Sequence, residues 1–599
     1  MHFTKRYLYL LIFVSMLFLT GSSSFSCTSG DNDSDDKKSS GGDTEIRVKV
    51  GGQQKISADS GGFNGSLDSG DQFGSAIADL GDLEADGVRD LAVGSPFKDD
   101  GGNDRGAVWV LFMDSDGKVD QQQKIADETG GFGGGLDDDD LFGSALAGIG
   151  DLDGDGAFDL AVGVPGNDNG GTDRGGVWIL FLDAEGKVRQ KQKIADDTGG
   201  FGGGLDDDDH FGSAVADIGD VNGDGIPDLA VGTPNDDDGS DNAGAVWILF
   251  MKVDGTVETK QKISMDAGRL DGNLEADDHF GAALAGIGDL NNDGIPDLAV
   301  GIPGDDNGGT DRGGVLILFL DAEGKVLQKQ KIAHDTGGFG GLDDDDRFGS
   351  AVAAIGDMND DGISDLAVGA PNDDDEFTNA GAAWILMMNT DGKVDAWQQV
   401  SGSAGGFNGN LDADDHFGAA LAGIGDMDNN GVPDLAVGVP GHDKGGADRG
   451  GVWILFLDAE GKVLQEQKIA DDAGDFGNNL DDDDRFGSAV ADIGDMNGDG
   501  ILDLAVGAPN DDDGSDNAGA VWILMMKADG KVDGWQKVSS NAGGFGGNLD
   551  ADDHFGAAIT GIGNLDNSEL TDLAVGSPGK DDDGEDKGAV WILFMERKI

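Results

Sequence analysis

The sequence predicts an all-β fold, and three observations carry that prediction. Phe-Gly recurs at Phe73, Phe142, Phe211, Phe280, Phe348, Phe417, Phe486 and Phe555, at steps of 69 residues with one step of 68. Each repeat holds short apolar or alternating runs separated by Gly, Pro, Asp and Asn, with no helical period. The eighth repeat holds three of these runs, and the segment around Val50 and Ile56, matching Val119 and Ile125 at a distance of 69 residues, supplies its fourth. A unit of four short strands cannot bury both its faces alone, so its repetition predicts a single β-propeller. The expectation is eight four-stranded blades, closed by pairing the N-terminal strand with the C-terminal blade. Closure removes two open sheet edges. Seven blades plus an extra repeat is the alternative.

The second repeat shows the order of elements. "FGSALAGIGD" (142–151) alternates small and apolar residues and reads as a strand. The acidic loop "DLDGDGAFD" (151–159) follows, then the short apolar run "LAVGVP" (160–165), ended by Gly-Pro chemistry. "GGVWILFL" (175–182) is a continuous apolar run of buried-strand type, and "KVRQKQKIA" (187–195) alternates as an outer strand would. Repeats two, four and six share one set of variants and repeats three, five and seven another, so the copied unit reads as a pair of blades.

The flanks and the charge bound the setting. Lys5 and Arg6, the apolar stretch Tyr7 to Leu19 and the small residues after it read as an export signal over residues 1–26. Residues 27–44 read as a flexible polar tether and 45–599 as the propeller. Cys27 is the only cysteine, so no intrachain disulfide forms, and its place after the apolar stretch resembles a bacterial lipoprotein's lipidated cysteine. Ser24-Phe25-Ser26 departs from the usual aliphatic signal, so lipid anchoring and free secretion both stay open, with an extracellular or cell-surface location expected. Of 599 residues, 118 are Asp or Glu and 39 Lys or Arg, a formal charge of −79. Phosphate backbones would be repelled, which argues against nucleic acid as a partner.

The acidic loops carry the chemistry. Their ligand-type residues are Asp82, Glu84, Asp86 and Asp90; Asp151, Asp153, Asp155 and Asp159; Asp220, Asn222, Asp224 and Asp228; Asp289, Asn291, Asp293 and Asp297; Asp357, Asn359, Asp361 and Asp365; Asp426, Asp428, Asn430 and Asp434; Asp495, Asn497, Asp499 and Asp503. These occupy positions 1, 3, 5 and 9 of a nine-residue loop whose position 6 is always Gly, while positions 2, 4 and 8 vary. Calcium takes six to eight oxygens in a flexible shell, and such spacing converges oxygens if the chain coils tightly. Gly at position 6 permits the bend. An acidic Asx-turn without metal explains one copy, but not seven with the same spacing. The expectation is about seven structural calcium sites. Hard oxygens without His or Cys argue against zinc and copper. In the eighth loop, 564–572, Asn564, Ser568 and Glu569 replace key residues, so binding there is expected to be weak or absent.

A second acidic cluster precedes each Phe-Gly, as in "LDDDDHFG" (205–212). It reads as a solvated connection between blades, or, with loops such as "PNDDDGSDN" (234–242), as an auxiliary cation site. The residue before each Phe varies, so the histidines there, such as His210 and His279, read as surface. The tryptophans of the third runs read as core. No nucleophile, base and orienting group converge, so no catalytic residue is expected.

Each repeat also carries Gly-X-Pro after the acidic loop, at 94–96, 163–165, 232–234, 301–303, 369–371, 438–440, 507–509 and 576–578. Phe-Gly, the acidic loop and Gly-X-Pro, in fixed order, resemble the FG-GAP repeat of integrin α-subunit propellers and their bacterial relatives. The resemblance spans about residues 45–599 and implies calcium-binding loops on a propeller that presents a surface for adhesion or for a protein or polysaccharide ligand. The eight repeats depart from the seven blades of integrins, so the propeller and its calcium loops carry over better than the adhesion role. A carbohydrate-binding or hydrolytic propeller, or a passive surface component, is the alternative.

Overall fold

The computed structural model describes residues 47–598, apart from 59, 116–117, 269, 271–273, 375–376, 403, 444–445, 472, 478–479, 513–514, 541, 543–548, 563, 566–569 and 582–585. The expected export signal, tether and Cys27 lie outside the described residues. Eight four-stranded antiparallel sheets form, so the extra-repeat alternative falls. Blade two is Leu146–Gly148, Leu160–Val164, Gly176–Leu182 and Val188–Ile194, hydrogen-bonded in that order. The short first strands of successive blades lie side by side around the centre, Leu146–Gly148 beside Ala214–Asp217.

The third strand is apolar throughout because both its faces are covered. Val108, Val110 and Phe112 pack against Leu160, Val162 and Trp178 of the next blade. Trp109, Leu111 and Met113, on the other face, pack against Val590, Ile592 and Phe594 of blade eight. The outer strand Val188–Ile194 buries its ends and exposes Arg189 and Gln190, which gives the alternation read from sequence. The third-strand tryptophans are core, from Trp384 and Trp522 at 0% exposure to Trp178 and Trp453 at 5%. They sit in aromatic clusters: Phe132 lies 4.8 Å from Trp178 and 5.1 Å from Phe142. Blade four replaces two members of this trio, with Leu270 for the first Phe and Leu316 for Trp.

The ring closes as expected. The strand Arg47–Ile56 pairs antiparallel with Ala589–Lys598, from Arg47 opposite Lys598 to Ile56 opposite Val590.

The first strands are shorter than the "FGSALAGIGD" reading. Phe-Gly stands outside them and serves a different purpose, joining each blade to the one before. Phe211 forms an isolated parallel bridge with Gly175. Gly212 of the Phe-Gly pair, at φ +94°, sits against Gly163 of blade two's Gly-X-Pro; a β-carbon on Gly163 would lie 2.1 Å from the Gly212 oxygen. Both motif glycines are therefore fixed by one backbone contact between neighbouring blades.

Candidate metal centre

Each acidic loop joins the first and second strands of its blade and is shaped by its own side chains. Asp151 accepts the Asp155 N–H on Oδ1 at 2.9 Å and the Gly156 N–H on Oδ2 at 2.8 Å. Asp82, Asp220, Asp289, Asp357, Asp426 and Asp495 do the same. Position 3 accepts from position 5 in six loops, as from Asp224 to Asn222 at 2.8 Å. Position 5 turns back on the loop: Oδ1 of Asp86, Asp155, Asp224, Asp293, Asp361, Asn430 and Asp499 accepts the N–H of position 7. Gly156 at position 6 has φ +96° with open space around it, so backbone conformation, not crowding, demands glycine there.

Position 4 carries a constraint that sequence reading missed. Ala85, Gly154, Gly223, Asn292, Asp360, Asn429 and Gly498 all have positive φ. Its variation is confined, Ala85 aside, to Gly, Asn and Asp, the residues that tolerate the left-handed region, and that restriction was the available signal.

Position 9 is a clamp. Asp159 is fully buried; its Oδ2 accepts the Leu152 N–H at 2.9 Å and its Oδ1 the Leu182 N–H at 3.2 Å, tying the loop to the end of the third strand. Asp90, Asp228, Asp297, Asp365, Asp434 and Asp503 are equally buried and make the same two bonds. Burial pushes their carboxyls up, to about 8 for Asp90, about 7 for Asp159, Asp228, Asp297, Asp434 and Asp503, and about 6 for Asp365, against the pull of the backbone N–H groups. In the eighth loop Asp572 keeps both clamp bonds, to Leu565 and Met595. Of the replacements on which weak binding is expected there, Asn564 is described, and Ser568 and Glu569 lie outside the described residues.

Three loops gather carboxylates. Oxygens of Asp82, Glu84 and Asp90, of Asp151, Asp153 and Asp159, and of Asp426, Asp428 and Asp434 lie within 4.8 Å of one another. Positions 1, 3 and 9 thus converge while position 5 shapes the loop. Glu84 Oε2 is buried without a hydrogen-bond partner among the described residues, and burial raises the Glu84 carboxyl. An oxygen-only donor set with an orphaned carboxylate oxygen fits a hard divalent cation. Asn222, Asn291, Asn359 and Asn497 replace the third carboxylate in the other four loops, which keep the same backbone bonds. In blade two, Arg189 of the outer strand pairs with Asp153 and, at 2.8 Å, with Asp155.

The second acidic cluster is not a solvated connection throughout. The aspartate two residues before each Phe is buried, at 1% exposure or less: Asp71, Asp140, Asp209, Asp278, Asp346, Asp415, Asp484 and Asp553. It faces the second residue after each Gly-X-Pro. Asn167 Nδ2 donates to both oxygens of Asp140, at 3.1 and 3.0 Å. Lys98 reaches Asp71 at 3.1 Å, Lys580 reaches Asp553 at 3.2 Å, and His442 Nδ1 lies 3.2 Å from Asp415. In blades three, four and seven the facing residue is another buried aspartate, Asp236, Asp305 or Asp511, paired with Lys262, Lys331 or Lys537 of the outer strand. The histidines before Phe are half-buried rather than free at the surface; Nδ1 of His279 lies 3.2 Å from the Pro234 oxygen. Because strands alternate in direction, this ring of buried acids lies on the face opposite the acidic loops.

A profile described as "FG-GAP repeat" matches residues 142–180, 211–249, 280–318, 348–386, 417–455 and 486–524. These are FG-GAP repeats. Each matched segment runs from Phe-Gly through the acidic loop and Gly-X-Pro into the third strand, the parts that the structure joins within and between blades. The FG-GAP propeller is integrin α-like. It is 30% identical over 245 residues to integrin alpha pat-2 of Caenorhabditis elegans, covering 39% of this chain and 18% of that one. It is 33% identical over 197 residues to integrin alpha-3 of Cricetulus griseus, covering 33% and 16%. The chain thus spans under a fifth of the length of these relatives. A solved structure of BBS1N in complex with ARL6DN, soaked with lead, is 12% identical with a TM-score of 0.35, over 74% of this chain and 89% of that one. Among the described residues, no helix is long and apolar enough to cross a membrane.

Proposed function

We propose that this chain is an exported FG-GAP propeller that binds a protein or polysaccharide ligand outside the cell, with calcium held in its acidic loops for structure and not for catalysis. The observation that carries the reading is the convergence of positions 1, 3 and 9 in three loops, with Glu84 Oε2 left without a partner. A bound calcium would neutralise carboxylates that burial already disfavours as anions. The chain's own residues do the rest: position 1 coils the loop, position 6 bends it and position 9 fastens it to the third strand. The integrin α relatives support a binding role rather than turnover.

A polysaccharide ligand is favoured by one feature. Trp397 and Trp535, each 38% exposed on the outer strands of blades five and seven, stand where blades two and three carry Lys191 and Lys260. Such faces suit sugar rings.

Calorimetric titration of the chelator-stripped chain tests the metal reading, with about seven calcium ions expected and none overturning it. Binding arrays of polysaccharides and matrix proteins, run beside a hydrolase screen on the calcium-loaded chain, test the role. Saturable binding without turnover is expected, and turnover overturns it.

A further inference from the structure

The aromatic clusters at the rim of the ring are capped by the outer strands in two ways. In blades two and three the cap is an ammonium. Lys191 Nζ lies 3.4 Å from the centre of the Phe132 ring and 4.4 Å from that of Trp178. Lys260 Nζ lies 3.2 Å from Phe201 and 4.3 Å from Trp247 in the same way. The negative face of an aromatic ring attracts such a cation, and Trp attracts it best. In blades five and seven the same outer-strand position holds Trp397 and Trp535, and no other blade has an aromatic residue there.

These two tryptophans extend the clusters outward. Trp397 lies 5.2 Å from Trp384 and 5.6 Å from Phe339, and Trp535 lies 5.0 Å from Trp522 and 5.9 Å from Phe476. The inner rings are buried, whereas Trp397 and Trp535 each leave 38% of their surface to solvent. Packing from behind thus holds each platform in place before a ligand arrives, which lowers the ordering cost of binding. Asp395 and Asp533, both exposed, stand two residues earlier on the same strands and so on the same side as the tryptophans. Two residues span about 7 Å, within reach of the substituents of a ring stacked on the indole. Asn389 Nδ2 donates to Asp395, and Lys527 Nζ lies 3.3 Å from Asp533 Oδ1, so both carboxylates are anchored at the start of the strand. Asp-X-Trp-Gln occurs at 395–398 and 533–536 and nowhere else in the chain.

We propose, resting on the polysaccharide reading above, that the rims of blades five and seven bind an amino-sugar polymer, with its rings on Trp397 and Trp535 and its ammonium groups toward Asp395 and Asp533. The chain already places its own ammonium on this cluster in blades two and three. A formal charge of −79 repels uronate and sulfate polymers and attracts a cationic one. A repeating ligand also matches a repeated platform: the two sites lie two blades apart, a quarter turn of the eight-blade ring.

The test is calorimetry of the full chain, with calcium present, against a short glucosamine oligomer at a pH where its amines are charged. Trp397→Lys, Trp535→Lys and the double variant, which copy Lys191 and Lys260, are measured beside the parent. Two sites are expected in the parent, one in each single variant and none in the double. On the long polymer, each single variant is expected to bind about a hundredfold more weakly, because the second contact no longer adds avidity. Asp395→Asn combined with Asp533→Asn keeps both stacks and serves if the lysine variants do not fold; it is expected to weaken the glucosamine oligomer more than its N-acetylated form. A folded double variant that binds like the parent overturns the proposal and leaves the polysaccharide reading standing. Equal affinity of the parent for the N-acetylated oligomer overturns the amino-sugar assignment. A parent that binds a lysine-rich peptide and no saccharide overturns both the proposal and the polysaccharide reading, while the binding role stands.

Discussion

The backbone of Phe73 bridges that of Gly588 in parallel, and the Phe73 N–H donates to the Lys587 oxygen at 3.0 Å. The first Phe-Gly pair is thereby latched to the last blade as Phe211 is latched to Gly175. Gly588 has φ +82°, and a β-carbon there would lie 2.2 Å from the Phe73 oxygen. Gly588→Ala should therefore open the seam. The expected loss is about 1–3 kcal/mol, the scale of an overpacked contact. Limited proteolysis should then cut first between residues 47 and 72. The internal counterpart Gly175→Ala should lose similar stability in thermal melts without that early cleavage.

The ninth-position clamp should stabilise the fold without metal. Asp159→Ala leaves the buried Leu152 and Leu182 N–H groups unpaired, at about 1–3 kcal/mol each. Thermal melts in chelator should show this loss. Asp572→Ala should match it, since Asp572 makes the same two bonds. A loss seen only with calcium present would mean that the aspartates act through the ion alone.

The raised carboxyls set a pH dependence. Their folded values, about 6 to 8, exceed an unfolded value near 3.9. Between those limits the folded chain binds more protons than the unfolded one, so stability falls as pH rises. The chelated chain should melt higher at pH 5 than at pH 8. Calcium competes with those protons, so it should raise the pH 8 melt more than the pH 5 melt. At a hundredfold excess over Kd, each occupied loop adds about 2.7 kcal/mol. A chelated chain that gains stability from pH 5 to pH 8 would contradict this ordering.

Arg189 lies against Asp153 and Asp155 of the second loop and competes with a cation for them. Arg189→Gln should tighten calcium at that loop by about fivefold, or ~1 kcal/mol, the worth of one exposed charge pair in water. Calorimetry should resolve one tightened site, with the others unchanged.

Leu270 and Leu316 replace Phe and Trp together, and their effects should couple. Leu270→Phe and Leu316→Trp should each destabilise blade four alone. The double variant should recover about 0.5–1.5 kcal/mol beyond the sum of the singles, as an aromatic pair forms. Denaturant melts of the four proteins complete the cycle.

Ring closure, blade number and the core tryptophans were legible in sequence because they follow from period and register. Spacing also marked positions 1, 3, 5 and 9 of the loops. It could not separate their duties, since Asp155 and Asp159 look alike in sequence while one shapes the loop at its surface and the other is buried under it. The left-handed position 4 was hidden by treating Gly154, Asn292 and Asp360 as unrelated residues. The burial of Asp346 and its siblings was hidden by their setting in runs of aspartate, where solvation is the ordinary outcome. Only the fold shows which member of each run turns inward.

The two acidic faces of the ring differ in how their charge is balanced. One is neutralised mainly by lysines that the chain carries itself, and the other offers loops whose balance would come from the surroundings. A change in external calcium would thus alter the potential chiefly at one end of the ring axis. The molecule would behave as a disc whose dipole along that axis changes with the ion, and its preferred orientation beside a charged surface would change with it.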